Sequence, residues 1–405
     1  MPKQIAGDAE GRLSVQVSAR GVSRLKKGHV WVYRSDIAPG KVPPGSVVDV
    51  KDGRGKFLGT ALYSSTSQIA LRMIAREQVG ELAGLVAERI RAAARYREKL
   101  ASDSDAYRVV FSEADFLPGL IVDRYGDVTS VQILSQAMDS EAVRGAVVAT
   151  LVEELKPAGI VERVDARIRE LEQLKPREPG ALWGTKAASV ITMNRAALNG
   201  GVRFHYDGLE GQKTGAFLDQ RENYAAAAQY ARGEALDVFC YQGGFALHLA
   251  PGCTRVSGVD SSRPALEMAE KNAALNDPGR EIEWVEANAF DLLKDYAAER
   301  RQYDAIVLDP PAFAKSKHDL ENALRGYKEL NLRALKMLRS GGVLVTCSCS
   351  FHVGQAEFLN VVTEAAQDAH RSVRLLEARG AAKDHPVLLG VPETGYLKCL
   401  ILAVS

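Results

Sequence analysis

Apolar and polar residues follow different patterns in successive parts of the chain. In residues 1 to 76, short β-rich runs are separated by turn signals, and PPGSVVDVKDGRGKFLGTALY, residues 43 to 63, predicts two strands joined by an Asp-Gly turn. This part is expected to form a small barrel or sheet. In residues 79 to 100, apolar positions recur at helical spacing, which predicts a helix linking the first two domains.

The middle segment mixes both patterns and predicts an α+β unit. An amphipathic helix is predicted from residue 141 to residue 155. Strand-like runs lie around Val109, Ile121, Val131 and Ile160. The loop-rich passage KPREPGALWG, residues 175 to 184, is expected to be a flexible connection or a surface between domains.

From about residue 190, strand and helix patterns alternate. Apolar runs typical of buried parallel strands are LDVFC from Leu236, VSGVD from Val256, IEWVEA from Ile282, YDAIVLD from Tyr303 and GGVLVTC from Gly341. Helical patterns lie between them, for instance in residues 263 to 275 and 321 to 338. The sequence therefore predicts one parallel sheet wrapped by helices, with a ligand site beyond the carboxyl ends of its strands.

The composition is that of a globular protein with two or three domains in its 405 residues. No run approaches the roughly 20 apolar residues of a membrane span, and MPKQIAGDAEGRLS lacks the pattern of a signal peptide. All five cysteines lie after residue 239. They are interpreted as reduced thiols in a cytoplasmic protein rather than as a disulfide framework.

Positive charge is concentrated in the first 76 residues, which carry 13 Lys or Arg against 5 Asp or Glu, while the whole chain has a net charge of only +1. The run RLKKGHVWVYR contains Arg24, Lys26 and Lys27 as candidate phosphate contacts and Trp31 as a ring for stacking on bases. A solvated surface loop is the alternative interpretation of this run alone. The charge of the whole segment favours RNA as the partner.

A nucleoside-containing cofactor is indicated at the first two strands. Gly243 and Gly244 follow the first strand, where they allow the backbone to approach a ligand closely. Asp260 ends the second strand, where its carboxylate can accept hydrogen bonds from both hydroxyls of a ribose. A plain tight turn and a helix cap are the alternatives. After the third strand, Asn288 can pair with an adenine edge and Phe290 can pack on a ring, or both are ordinary loop or core residues.

The fourth strand ends in Asp309-Pro310-Pro311, which places a carboxylate in a stiffened turn suited to a planar group. A turn that merely begins with Asp-Pro is the alternative. Lys315 and Lys317 follow in a loop where they can contact RNA phosphates.

The fifth strand carries two cysteines in the stretch LVTCSCS. Cys347 is interpreted as a core residue and Cys349, nearer the ligand edge, as a nucleophile, although free cysteines are often simply small buried apolar residues. A metal site at Cys347, Cys349 and His352 is disfavoured because no second ligand cluster has zinc spacing. No metal is therefore expected.

With these motifs, the chain resembles the bacterial large-subunit ribosomal RNA methyltransferases built from PUA, EEHEE and class I methyltransferase domains. The resemblance covers nearly the whole chain. It is carried by VVDVKDGRGKFLGTALYSSTSQIALR (47 to 72), SEADFLPGLIVDRYGD (112 to 127), QKTGAFLDQREN (212 to 223), LDVFCYQGGF (236 to 245), LDPPAFAK (308 to 315), RGYKELN (325 to 331), SCS (348 to 350) and DHP (384 to 386).

The resemblance implies an α/β fold class, with a Rossmann-like methyltransferase domain in residues 189 to 405, preceded by a small β-barrel PUA domain in residues 1 to 76 and an α+β EEHEE domain in residues 77 to 188. It implies transfer of a methyl group from S-adenosylmethionine to carbon 5 of a cytosine in large-subunit ribosomal RNA. Cys349 and Asp309 are the implied catalytic residues. The implied cofactor pocket comprises Phe217, Gln220, Arg221, Tyr241, Gly243, Gly244, Asp260, Asn288 and Asp309, with Asn288 standing where the family tends to have Asp.

Other functions stay open on the sequence alone. Asp-Pro-Pro-aromatic turns also serve methyltransferases that modify purine amines and need no cysteine. An inert RNA-binding assembly factor or a dinucleotide enzyme can share parts of the pattern, although the full GxGxxG fingerprint is missing. Ribosomal RNA is the expected partner, no membrane association is expected, and a homodimer is a candidate assembly.

Overall fold

The structure is a computed structural model that describes residues 12–209, 216–276, 282–314 and 317–405. These residues form two compact units. The first unit contains residues 12–189, 206–209 and 384–394, and the second contains the other described residues. The division into three domains, with boundaries after residues 76 and 188, stays a prediction.

The first unit begins with a five-stranded sheet. Its elements are β1 (Ser14–Gln16), α1 (Ala19–Lys26), β2 (Trp31–Tyr33), β3 (Val47–Lys51), β4 (Phe57–Tyr63) and β5 (Ile69–Ala75). The strand order is β1-β3-β4-β5-β2, with β1 parallel to β3 and the other pairs antiparallel. The predicted hairpin of β3 and β4 is confirmed, and the Asp52 carboxylate closes its turn by accepting from the amides of Arg54 and Lys56 at 2.8 and 2.9 Å.

A second five-stranded sheet completes the first unit. Its elements are α2 (Leu82–Leu100), β6 (Ala106–Phe111), β7 (Leu120–Tyr125), β8 (Val128–Ile133), α3 (Glu141–Leu155), β9 (Gly159–Glu162), α4 (Ala166–Leu171) and β10 (Gly180–Gly184). The strand order is β10-β9-β8-β7-β6, in which only β8 and β9 pair in parallel. The helix and strands predicted for this segment are thereby confirmed.

Two details of the first unit correct the sequence interpretation. Helix α2 is not a mere linker, because Val86 and Ile90 are buried in one core with Leu62 of β4 and Leu151 of α3. The passage of residues 175 to 184 is not wholly a loop, because its last five residues form the edge strand β10. Pairing with β9 supplies the hydrogen bonds of the β10 backbone, which the Gly-containing sequence of β10 does not predict.

A short two-stranded sheet, β11 (Ala188–Met193) and β12 (Val202–Asp207), follows in the chain. The second unit then contains α5 (Arg221–Tyr230), β13 (Gly233–Val238), α6 (Gly244–Leu249), β14 (Cys253–Asp260), α7 (Arg263–Asn276), β15 (Ile282–Glu286), α8 (Ala289–Ala298), β16 (Tyr303–Leu308), α9 (Leu320–Met337), β17 (Leu338–Ser348), α10 (Gln355–Asp368), β18 (Val373–Arg379) and β19 (Lys398–Val404).

The large sheet of the second unit has the order β15-β14-β13-β16-β17-β19-β18. Its first five strands are parallel, as the sequence predicts, and β19 runs antiparallel to both β17 and β18. A continuous apolar core, which includes Leu236, Ile306 and Leu344, packs the sheet against its helices. Because the central strands are covered on both faces, their carboxyl ends form one edge that can hold a ligand.

Candidate active site

The carboxyl ends of β13, β14, β16 and β17 lie at one edge of the large sheet. The strand register pairs Val238 with Val259 and with Leu308, and pairs Leu308 with Thr346. The residues that follow these strand ends therefore converge. This convergence brings the glycine loop, Asp260, Asp309 and Cys349 to the same edge.

The loop after β13 contains three residues with left-handed backbone conformation, one of which is a glycine. Phe239, Tyr241 and Gly243 have φ values of +67°, +50° and +85°. A Cβ atom on Gly243 would lie 2.9 Å from the Trp284 ring, and a Cβ atom on Gly244 would lie 2.6 Å from the Tyr224 ring. The backbone is thus packed closely on its inner side, and side chains larger than hydrogen are excluded at both glycines.

Asp260 anchors this loop and keeps acceptor capacity for a ligand. Its Oδ2 accepts from the Tyr241 amide and its Oδ1 from the Ser262 amide, both at 2.9 Å. The Tyr241 ring in turn meets the Phe217 ring edge to face, with centroids 5.1 Å apart. Each carboxylate oxygen can accept a further hydrogen bond, so Asp260 fits the two hydroxyls of a ribose.

Asp237 has a supporting position beneath the loop. Its side chain is fully buried and accepts from the Ala246 amide at 2.8 Å. Burial raises the pKa of Asp237 to about 8, and repulsion from Asp309 and Asp260 acts in the same direction. A protonated carboxyl at this place holds α6 to β13 without adding negative charge to the edge.

Asn288 has a local role that the sequence did not indicate. Its side-chain oxygen caps α8 by accepting from the amides of Phe290 and Asp291 at 2.9 and 3.4 Å. The ring centroids of Phe290 and Phe313 are 6.0 Å apart. The predicted contact of Asn288 with an adenine stays a prediction.

Asp309 is fixed by a chain of polar side chains. Gln220 Nε2 donates to Asp309 Oδ1 at 2.9 Å, and Gln220 Oε1 accepts from Asn223 Nδ2 at 2.6 Å. Asn223 Oδ1 accepts from Arg379 Nε at 2.9 Å. Gln220 and its neighbour Arg221 are buried, so the structure gives Gln220 a direct part in orienting Asp309.

The two cysteines differ in environment: Cys347 lies in β17, and Cys349 follows the strand directly. Cys349 is partly exposed, whereas the other four cysteines of the chain are buried. Its Sγ lies 3.8 Å from the Pro310 carbonyl oxygen, directly beside Asp309. Cys347 is fully buried opposite Cys399 of β19, and burial raises the pKa of its thiol well above the ordinary value. Cys349 is therefore the accessible thiol at this edge.

A buried tyrosine ties the Cys349 segment to its surroundings. The Tyr327 hydroxyl, from α9, lies 2.9 Å from Ser350 Oγ and accepts from Ser348 Oγ at 3.0 Å. Ser350 Oγ also accepts from the Ala314 amide, in the turn after Asp309, at 3.2 Å. The residues on both sides of Cys349 are thus fixed to the Asp-Pro-Pro turn.

Two residues of this edge were missed in the sequence. Tyr327 lies in RGYKELN, where its spacing on α9 marks a core residue but not its bonds to the serines. Lys398 is buried in β19 and donates to the Ser350 carbonyl oxygen at 2.7 Å. A single lysine within the apolar run GYLKCLILAV was the available signal, since lysine is rarely buried without a specific partner.

The basic residues in α1 and directly after it differ in exposure. Lys26 and Lys27 are exposed, whereas Arg24 pairs with the buried Asp36 at 3.1 Å and lies over the Tyr33 ring. The Trp31 indole nitrogen donates to Glu113 at 3.0 Å, which restricts the ring. Of the two other candidates, Lys315 is outside the described residues, and for Lys317 only the backbone, in a short 3₁₀ turn, is described.

The described residues contain no group of three or more His, Cys, Asp or Glu side chains arranged for a metal ion. In the same residues, no helix has the length and apolar character needed to cross a bilayer.

Comparison with known proteins supports the architecture. A PUA-like domain model matches residues 15–76, and an S-adenosylmethionine-dependent methyltransferase model matches residues 187–400. A solved Streptococcus mutans structure, described as an S-adenosylmethionine-dependent methyltransferase, aligns with a TM-score of 0.80 at 20% identity over 96% of this chain and 99% of its own. Another solved structure, described as a methyltransferase complexed with S-adenosylhomocysteine, aligns with a TM-score of 0.81 at 19% identity, over 96% of this chain and 99% of its own. The predicted fold class is confirmed.

Curated relatives are similar along almost their full length. The ribosomal RNA large subunit methyltransferase I of Photobacterium profundum is 37% identical over 92% of this chain and 95% of its own. The protein of that name from Aeromonas hydrophila is also 37% identical, over 95% and 98%. The glycine loop, with Asp260 beside it, suits the cofactor of such enzymes. The chain therefore belongs to the ribosomal RNA large subunit methyltransferase I family of S-adenosylmethionine-dependent methyltransferases.

Proposed function

We propose that the protein transfers a methyl group from S-adenosylmethionine to carbon 5 of a cytosine in large-subunit ribosomal RNA. One observation carries the proposal: the accessible thiol of Cys349 lies 3.8 Å from the carbonyl oxygen of Pro310, the residue after Asp309. A nucleophile beside a carboxylate suits a pyrimidine, whose carbon 5 is unreactive until a nucleophile adds to carbon 6. The names of the curated relatives support the RNA substrate.

In the proposed reaction, Cys349 loses its proton and forms a bond from sulfur to carbon 6 of the cytosine. Asp309 holds the exocyclic amine and ring nitrogen and stabilises the charge that develops there. Carbon 5 of the adduct would then bond to the methyl group that S-adenosylmethionine supplies, with S-adenosylhomocysteine as the leaving group. A base then takes the carbon 5 proton, the bond from sulfur to carbon 6 breaks, and Cys349 is released as the thiolate.

The cofactor would lie along the glycine loop. Asp260 is proposed to accept the ribose hydroxyls, and the backbone at Gly243 and Gly244 leaves room for the amino acid part. Phe217 and Tyr241 would border the pocket, with Gln220 and Arg221 supporting it from the buried side and Asn288 near the adenine. A cytosine must be unpaired or flipped out of a helix to meet Cys349.

The first unit is proposed to bind the RNA, with the exposed Lys26 and Lys27 as phosphate contacts. Arg24 and Trp31 are the neighbouring candidates, and their side chains are bound to Asp36 and Glu113. Lys315 and Lys317 are proposed to contact the RNA near the reacting base. Action in the cytoplasm follows from the proposed substrate. A homodimer is a further proposal, which sedimentation of the purified protein tests.

The deciding experiment is nucleoside mass spectrometry on unmodified large-subunit ribosomal RNA incubated with protein and S-adenosylmethionine. We expect 5-methylcytidine from the wild type and from Cys347→Ala, and none from Cys349→Ala. RNA containing 5-fluorocytidine should form a covalent adduct with the wild type but not with Cys349→Ala, because fluorine replaces the proton that a base must remove. An N-methylated purine, or retained turnover in Cys349→Ala, would refute cytosine carbon chemistry.

Cofactor binding separates the proposal from rivals of other classes. S-adenosylmethionine should raise the melting temperature of the protein, and NAD should leave it unchanged. A protein that binds neither would be the inert RNA-binding factor.

A further inference from the structure

Lys398 occupies an unusual place for a lysine. It is the first residue of β19, where it pairs with Ser348 of β17, and it is 7% exposed. Lysine side chains are rarely buried to this extent unless their charge serves a specific partner. The neighbouring strand positions are apolar, so the charge is not part of a polar surface.

The Lys398 ammonium is bound to backbone oxygens. Its Nζ donates to the Ser350 carbonyl at 2.7 Å and to the Tyr396 carbonyl at 2.8 Å. Among the described residues it forms no ion pair with a carboxylate. Two carbonyl dipoles do not neutralise a full positive charge, so its field acts on the groups nearby.

Lys398 contacts the residues before and after Cys349. The strand register sets it opposite Ser348, the residue before Cys349, and its hydrogen bond reaches Ser350, the residue after. Burial lowers the pKa of Lys398 to about 8, against the attraction of Cys349 and Glu357. In most molecules, the Lys398 side chain is therefore still a charged ammonium at neutral pH.

Other titratable groups face the same thiol. Tyr327 of α9 interacts with Cys349, and burial raises the pKa of its hydroxyl, so it stays neutral. Asp309 lies beside Pro310, and Glu357 of α10 attracts Lys398. A negative charge on Asp309 opposes a negative charge on sulfur, and a nearby cation offsets this repulsion.

We propose that the Lys398 ammonium stabilises the negative charge on the sulfur of Cys349 and so raises the fraction of thiolate available for attack. The proposal rests on the proposed function for its catalytic meaning. Lys398 is a positioning residue in this scheme, because it acts on the reaction through Cys349. The same field would favour release of Cys349 as a thiolate at the end of the reaction.

The test measures the thiol itself, without RNA or cofactor. The rate of iodoacetamide alkylation of Cys349 is followed by peptide mass spectrometry between pH 5.5 and 10 in the wild type and three variants. Lys398→Met removes the charge and the donors, Lys398→Gln keeps a donor without charge, and Lys398→Arg keeps the charge. The four buried cysteines serve as internal controls for folding, because they become reactive only if the sheet opens.

We expect the midpoint of the Cys349 profile to rise by about one pH unit in Lys398→Met and Lys398→Gln, which is about a tenfold loss of reactivity at pH 7. Lys398→Arg should keep the wild-type midpoint. A midpoint unchanged in both uncharged variants, with the other cysteines protected, would overturn the proposal. A shift in Lys398→Met alone would also overturn it, because hydrogen bonding rather than charge would then be responsible.

The outcome is separable from that of the proposed function. If Cys349→Ala kept its methyltransferase activity, the cytosine chemistry would fail, and the alkylation profile would still report on Lys398. If the cytosine chemistry holds, the pH profile of turnover should move in the same direction as the alkylation midpoint in Lys398→Gln.

Discussion

Tyr327→Phe tests whether the buried hydroxyl positions the Cys349 segment. The substitution removes one oxygen and keeps the ring, whose centroid lies 4.8 Å from that of Phe313 and 5.3 Å from that of Phe358. The Ser348 hydroxyl loses its acceptor, and the Ser350 hydroxyl keeps its hydrogen bond from the Ala314 amide. The change removes these two side-chain hydrogen bonds and the hydrogen bond of the hydroxyl with the Phe313 backbone.

The two side-chain hydrogen bonds, with a net value of about 0.5 to 1.5 kcal/mol each, account for an expected loss of about 1 to 3 kcal/mol in the free energy of unfolding. Because the serines flank the nucleophile, a shift of the segment should lower the methylation rate by about tenfold to a hundredfold. Tyr230→Phe is the matched control. Its hydroxyl donates to Glu377 at 2.7 Å, at the opposite end of α5 from the buried Gln220.

Stability is best measured by urea-dependent hydrogen exchange of β17 peptides, because the chain has two compact units and a single melting curve mixes them. The methylation rate is measured on the same preparations. We expect the control to stay within about 0.5 kcal/mol of the wild type and to keep its rate. If Tyr327→Phe matched the control in both quantities, the positioning argument would be refuted.

Asp237→Asn tests how the stability of the protein depends on pH. Burial raises the pKa of Asp237 from its ordinary 3.8 to about 8. The stability that Asp237 contributes is therefore full below about pH 4 and is lost as the pH rises through about 8. Urea unfolding between pH 5 and 8 should show a falling stability in the wild type and a flatter profile in Asp237→Asn; equal slopes would contradict the assignment. Gly244→Ala should lose about 1 to 3 kcal/mol of stability and bind S-adenosylmethionine more weakly in calorimetry, because its Cβ would lie 2.6 Å from the Tyr224 ring. Gly145→Ala, in α3 with open space around its Cβ, is the control and should gain up to about 1 kcal/mol; equal behaviour of the two glycine variants would disprove the steric argument.

Periodicity identified most of the regular elements. The helix from residue 141 to residue 155 and the five parallel strands of the large sheet follow from local patterns of apolar residues, because each pattern records which side of an element is buried. The strand β10 was missed because its Gly and Trp residues form a strand only by pairing with β9. The antiparallel return of β19 was also not predicted, since strand direction is a matter of chain topology.

The candidate site divides in the same way. The sequence by itself determined the residues that follow the strand ends, the glycines, Asp260, Asp309 and Cys349, because strand ends in a parallel sheet meet at one edge whatever the packing details are. Only the tertiary structure decided that Gln220 orients Asp309, that Tyr327 holds the two serines, and that Lys398 lies beside Cys349. These contacts join residues 21 to 89 positions apart in the chain, and no local pattern records which distant side chains will share a buried space.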